Sequence, residues 1–131
     1  MPRVKVLLVS PDPQTREMLR IAVGSIERRA EGVTTYLEAE NGEQGIAVAL
    51  REAPDVVVAD ETASRAGAFA LAKELRGSGT PFEGAIFVLL DRPHDEWLAR
   101  WSGADAWFVK PIDPFELAEA AADFLAEKEG A

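Results

Sequence analysis

Three short apolar runs limit what this chain can fold into. Residues 4–9, 56–59 and 85–90 are almost wholly apolar, and each is bounded by proline, glycine or charged residues. Segments this short and this uniformly apolar are typical of strands that are buried on both faces. Such strands lie in parallel sheets covered by helices on both sides, so the runs predict an α/β protein.

The segments between these runs complete the pattern. Apolar residues at helical spacing predict helices from Pro13, around Ile46, around Phe69, over 93–101 and from Pro114, and two further strands are predicted at 33–39 and 106–109. Five strands alternating with five helices predict a flavodoxin-like, doubly wound parallel sheet with the strand order 2-1-3-4-5. The length of 131 residues predicts a single domain over 1–131.

Composition excludes several classes of function. The net charge is -9 with the acidic residues spread along the chain, which argues against nucleic-acid binding. The chain has no cysteine, so disulfides, thiol catalysis and cysteine-bound metals are excluded. No apolar run is long enough to span a membrane, and the amino terminus does not resemble a signal sequence. We therefore expect a cytoplasmic protein with no membrane contact.

Asp60 ends the third predicted strand and is the main candidate for a functional residue. Open α/β sheets place their sites at the carboxyl ends of the strands, next to the point where the strand order reverses. In the predicted order, strands 1 and 3 are neighbours there, so Ser10, Pro11 and Asp12 should lie near Asp60. Taken alone, an acid at this position also fits a purely structural role as a cap of the following loop.

Three segments resemble the receiver domain of bacterial two-component response regulators. They are EAENGE at 38–43, PDVVVAD at 54–60 and GADAWFVKP at 103–111, and the similarity covers nearly the whole chain. The resemblance implies that Asp60 stands at the position that accepts a phosphoryl group from a histidine kinase. It also implies that Lys110 contacts the phosphoryl group and that Pro111 follows a cis peptide bond.

The comparison with this family also shows that several residues of its phosphorylation site are replaced in this chain. The acidic pair that holds Mg²⁺ in the family is replaced by Ser10 and Pro11, and no Ser or Thr occurs over 85–101 to supply the hydroxyl at the end of strand 4. In the loop after Asp60, Ser64 replaces the usual proline and Gly67 is displaced by one position. Because Mg²⁺ prefers carboxylate ligands, we predict weak or absent Mg²⁺ binding and no other cofactor.

These departures lead to two alternative functions. Phosphoryl transfer depends on charge neutralisation and alignment, which the missing metal would supply. The favoured prediction is therefore a pseudo-receiver, a protein-interaction module that works without phosphorylation and in which Lys110 pairs with Asp60. The alternative is a receiver that a histidine kinase still phosphorylates on Asp60. The predicted pocket contains Ser10, Asp12, Thr62, Lys110 and Pro111 around Asp60.

Two enzyme or cofactor classes fit less well. An aspartate-nucleophile phosphatase would place a second Asp two residues after the first, where this chain has Thr62. A flavin-nucleotide binder would need backbone N–H groups after strand 1 to hold the phosphate. Pro11 and Pro13 remove two of those groups. We therefore predict no enzymatic activity.

Three tryptophans are the candidates for a partner surface. Trp97 and Trp101 are four residues apart and share one face of helix 4, and Trp107 stands at the family's aromatic position on strand 5. All three fit either the core or an exposed patch on the helix 4–strand 5–helix 5 face. That face would bind a protein partner, including a histidine kinase or a second copy of the chain. His94 is predicted to be a surface residue rather than a metal ligand.

Overall fold

The fold is a five-stranded parallel sheet covered by helices on both faces. A computed structural model describes residues 4–30, 34–61, 67–77, 79 and 82–130, and within them the strand order is β2-β1-β3-β4-β5. The strands are β1 Val4–Val9, β2 Thr34–Ala39, β3 Val56–Asp60, β4 Ala85–Leu90 and β5 Ala106–Val109. The helices are α1 Pro13–Ala30, α2 Gly42–Glu52, α3 Ala68–Gly77, α4 Glu96–Ser102 and α5 Pro114–Gly130. The predicted fold class and strand order are confirmed.

The central strands are apolar throughout because both of their faces are buried. Alternate residues point to opposite sides of a strand, so Val6 and Leu8 pack in the layer that contains residues of α1 and α5. Leu7 and Val9 pack in the opposite layer with residues of α2 and α3. Phe87 of β4 is fully buried and forms edge-to-face ring contacts in the first layer. This packing fixes the register that brings the strand ends together.

The predicted boundaries agree with the structure except in helix 4. Strands β1, β4 and β5 have the predicted bounds, while the predicted first residue of strand 2, Val33, lies outside the described residues. The helix predicted over 93–101 is present, but α4 itself starts only at Glu96. The segment begins with a 3-10 turn at Pro93–Asp95, and the backbone of Asp95 (φ -90°, ψ 3°) leaves helical geometry before α4 starts. Gly103 then ends α4 in the left-handed conformation (φ 92°) that favours glycine.

Side-chain caps fix the starts of α1 and α5, which both begin beside the carboxyl ends of strands. Asp12 caps α1, since its Oδ1 accepts a hydrogen bond from the backbone N–H of Gln14 at 3.0 Å, as predicted. Asp113 caps α5 in the same way through the N–H of Phe115 at 2.9 Å.

The peptide bond between Lys110 and Pro111 is cis. Among the described residues, no helix has the length and apolar character needed to cross a membrane.

Candidate functional site

The carboxyl ends of β1, β3, β4 and β5 gather four polar side chains at one edge of the sheet. Asp60 is the last residue of β3 and is only 2% exposed, and Ser10, directly after β1, is fully buried. Asp91 follows β4 and Lys110 follows β5, where Leu90 is in register with Val109. The parallel order therefore brings together residues that are far apart in sequence, as the position of Asp60 predicted.

Both carboxylate oxygens of Asp60 already have protein partners. Oδ1 accepts a hydrogen bond from the Lys110 ammonium at 2.7 Å, and Oδ2 accepts one from the Ser10 hydroxyl at 3.0 Å. The Ser10 oxygen in turn accepts the backbone N–H of Asp12 at 3.2 Å. A buried carboxylate needs such partners because burial without them is costly. In this structure the protein itself supplies to Asp60 the contacts that a metal ion or a ligand would otherwise make.

Lys110 bridges two carboxylates. Its ammonium contacts Asp60 at 2.7 Å and Asp91 at 3.0 Å, and Asp91 is the more exposed of the two acids. Burial acts to lower the pKa of Lys110, but the hydrogen bonds and charges of Asp60 and Asp91 outweigh it and raise that pKa above its ordinary value. Because this pKa is raised, Lys110 is charged at neutral pH. The stabilisation from the shift is complete below the unfolded-state pKa of about 10.4 and is lost as the pH rises through the higher folded-state pKa.

Asp12 does not face Asp60. Its two carboxylate oxygens accept hydrogen bonds from the first turn of α1, from the N–H of Gln14 and from the Thr15 hydroxyl at 2.9 Å. Arg16, one turn further along α1, donates to the backbone carbonyl of Ser10 and pairs with Glu38 at 2.9 Å. Next to Ser10, the carboxylate of Asp12 is therefore engaged as a helix cap, and the nearby Arg16 is a cation that cannot bind a metal ion.

The residues at this edge do not fit a magnesium ion. Mg²⁺ requires near-octahedral oxygen ligands, with carboxylates among them. Ser10 offers one buried hydroxyl that is already bonded to Asp60, Pro11 offers no side-chain oxygen, and the Lys110 ammonium occupies Asp60 Oδ1. Within the described part of the chain, no group of three potential metal-ligating acids or histidines is found. Weak or absent Mg²⁺ binding at this edge remains a prediction.

Glu61 links the site to helix α3. Its Oε2 accepts the backbone N–H of Phe69 at 2.9 Å and caps the start of α3. Gly67 permits this approach, since a Cβ there would lie 2.6 Å from Glu61 Oε1. Burial raises the pKa of Glu61, the backbone N–H groups of Phe69 and Ala68 oppose the rise, and the charges of Asp95 and Asp60 add to it. Burial therefore makes the ionised form of Glu61, directly after Asp60, less favourable than it would be in water.

We expect Glu61→Gln to gain stability relative to the wild type as the pH rises from 4 to 7. The folded state raises the pKa of Glu61, so its favourable contribution is complete below the unfolded pKa and is lost as the pH rises through the folded one. Glutamine mimics the protonated form and can still accept the N–H of Phe69. Urea denaturation at several pH values measures the difference, with Glu119→Gln on α5 as the control. A difference that is independent of pH would contradict the prediction.

The three tryptophans divide into two exposed rings and one half-buried ring. Trp97 and Trp101 are 63% and 58% exposed, so these two are not core residues. The ammonium of Lys73, from α3, lies 4.1 Å from the ring centre of Trp101. Trp107 donates its indole N–H to Glu96 at 2.8 Å, and the Arg100 guanidinium lies 5.5 Å from its ring centre. Helix α4 therefore holds Trp107 with one face and presents Trp97 and Trp101 on another.

Sequence reasoning identified some of these residues and missed others. Ser10, Asp60 and Lys110 meet as predicted, whereas Thr62 and Ser64 lie outside the described residues. Pro111 and His94 are exposed. The prediction missed the site roles of four residues: Asp91, Glu61, Glu96 and Arg100. A sequence signal existed for Asp91, because it directly follows an apolar strand whose carboxyl end faces the same edge as Asp60.

The sheet and the site together define a doubly wound α/β domain with an acidic pocket at its switch point. No protein-family model matches the chain. The chain is 33% identical over 125 residues to an uncharacterised response regulatory protein of Mycobacterium tuberculosis, covering 93% of this chain and 91% of that protein. It therefore belongs to the receiver-domain family of two-component response regulators.

Other similarities agree with this family. The nitrate/nitrite response regulator NarL of Escherichia coli is 29% identical over 115 residues, and the match spans 88% of this chain but only 51% of NarL. Among solved structures, a response regulator from Chloroflexus aurantiacus has a TM-score of 0.81 at 22% identity, covering 95% of this chain and 99% of that one. The chemotaxis response regulator CheY4 of Vibrio cholerae has a TM-score of 0.78 at 22% identity, covering 94% of this chain and 99% of that one. These structures support the fold.

Proposed function

We propose that this receiver domain is a protein-interaction module that works without phosphorylation of Asp60 and has no enzymatic activity of its own. The observation that carries the proposal is that each oxygen of Asp60 accepts a hydrogen bond within the protein, from Lys110 at 2.7 Å and from Ser10 at 3.0 Å. A phosphoryl donor is anionic, and attack of the Asp60 carboxylate on its phosphorus requires a positive charge that is not already neutralised. Here the charge of Lys110 is shared between Asp60 and Asp91.

The surface of helix α4 supports a protein as the partner. Trp97 and Trp101 expose large aromatic rings, and aromatic residues are enriched where proteins bind each other. Trp107 lies between Glu96 and Arg100 beneath this helix, so it belongs to the same surface. We propose a cytoplasmic protein partner, either a histidine kinase or a second copy of the chain. The net charge of -9 argues against nucleic acid.

A receiver that is still phosphorylated on Asp60 is the second candidate. Two observations favour it, namely that Asp60 and Lys110 keep their contact and that the relatives of the chain are response regulators. The difference between the candidates is whether the pocket responds to a phosphoryl group. A ligand that does not distinguish two conformations cannot shift their populations.

Beryllofluoride with Mg²⁺, which mimics a phosphoryl group on aspartate, separates the two candidates. We expect the indole signal of Trp107 and the affinity for a partner of α4 to be unchanged, because Lys110 and Ser10 hold Asp60 and because Ser10 and Pro11 replace the acidic pair of the family. Trp97→Phe and Trp101→Phe variants assign the Trp107 signal. A shift of that signal together with a roughly tenfold change in affinity, about 1.4 kcal/mol of coupling, would favour phosphorylation.

A further inference from the structure

Helix α4 has little buried surface to hold it in place. It is only seven residues long, and its fully buried side chains are the small ones of Ala99 and Ser102. A helix this short is marginal without tertiary support. The exposure of Trp97 and Trp101 removes the two largest side chains from that support. Polar contacts to neighbouring elements must therefore contribute more to the position of α4 than they do for a deeply packed helix.

Polar contacts lie in the first turn of α4 and just beyond each of its ends. At its carboxyl end, Arg76 of α3 donates to the backbone carbonyl of Gly103 at 3.2 Å. In its first turn, Glu96 accepts the indole N–H of Trp107 from β5. Before its amino end, Asp91 pairs with Lys110 at 3.0 Å, and the chain then leads through the 3-10 turn directly into the helix. Only the last of these contacts involves the pocket around Asp60.

We propose that Asp91 is a positioning residue that ties helix α4 to the Asp60 pocket through Lys110. Lys110 contacts Asp60 and Asp91 at the same time. Buried Asp60 fixes the position of the ammonium, and the ammonium in turn fixes Asp91, which precedes α4. Lys110 also directly follows the strand that carries Trp107. The Asp91–Lys110 pair therefore fixes the β4–α4 junction relative to the end of β5. It thereby also keeps Glu96 and Arg100 of α4 in contact with Trp107 of β5.

This inference rests on the proposed function in one respect, since it treats the α4 surface as the partner surface. Asp91 is itself half-exposed, with a side chain that is 49% accessible. Its removal leaves the buried Asp60 paired with Lys110 and Ser10 and should leave the fold intact. A loss confined to α4 and Trp107 is thus the signature of a tether, whereas a general loss of stability would indicate an ordinary surface ion pair.

Hydrogen exchange followed by NMR in Asp91→Asn tests the tether. We expect the α4 amides and the Trp107 indole N–H to exchange roughly tenfold faster, while amides of α2 keep their wild-type rates. Asp91→Ala should reproduce the result, and Glu119→Gln, which also removes one exposed carboxylate, should not.

Two outcomes would overturn the proposal: exchange in α4 no faster than in Glu119→Gln, or an equal acceleration in every helix. Either result is obtained without a phosphoryl donor, so it would leave phosphorylation-independence untouched. Conversely, a response of the wild type to beryllofluoride would refute the proposed function and leave a positive exchange result for Asp91 standing.

Discussion

Lys110→Ala is expected to lower the free energy of unfolding by about 1–3 kcal/mol, the usual cost of leaving a buried polar group without its partner. Asp60 is 2% exposed and would keep the Ser10 hydroxyl but lose its ion pair with the Lys110 ammonium. Asp91 contributes little to the loss because water reaches it. Urea denaturation at pH 7 measures the change.

A double-mutant cycle separates the ion pair from the rest of the lysine side chain. Asp60→Asn removes the buried charge, so Asp60→Asn/Lys110→Ala should recover part of the stability that Lys110→Ala loses. Lys73→Ala is the matched control, since that exposed ammonium lies over the ring of Trp101 and such contacts are worth about 0.5–1 kcal/mol. Strictly additive effects of the Asp60 and Lys110 changes would show that the two residues do not interact.

The fold followed from the sequence because its strongest determinants are local. Residues 85–90 are apolar without interruption, and only a strand that is buried on both faces explains that pattern in so few residues. Asp12 with Pro13 and Asp113 with Pro114 have the side chains that helix starts require, so two helix boundaries could be read directly. Alternation of strands and helices then left the right-handed, doubly wound sheet as the simplest topology.

The site followed only in part because its contacts depend on register and on helix rotation. Asp60 and Ser10 end neighbouring strands, so their meeting required only the strand order. The contact of Asp91 with Lys110 depends on the register of β4 against β5, and the sequence pattern does not specify that register. The exposure of Trp97 depends on the direction in which α4 leaves the 3-10 turn, and the hydrophobic pattern did not reveal that turn.

The largest change is expected when the missing acidic pair is restored. Ser10→Asp/Pro11→Asp places a carboxylate in a fully buried position beside Asp60, whose partner Lys110 is already shared with Asp91. An uncompensated buried charge destabilises proteins by about 3–5 kcal/mol, so we expect a loss of that order without metal. Millimolar Mg²⁺ should recover much of it, since a ligand at one hundred times its dissociation constant stabilises by about 2.7 kcal/mol.

The wild type, in contrast to the Ser10→Asp/Pro11→Asp variant, is expected not to respond to Mg²⁺. Its thermal midpoint and its NMR shifts near Asp60 should not respond to millimolar Mg²⁺, because Ser10 is bonded to Asp60 and Asp12 is bonded to the first turn of α1. Pro11→Asp alone adds an exposed acid without changing Ser10 and should remain equally insensitive. Saturable shifts at Asp12 and Asp60 in the wild type would mean that the pocket binds metal with its present residues, and phosphorylation of Asp60 would then become the better account of this receiver domain.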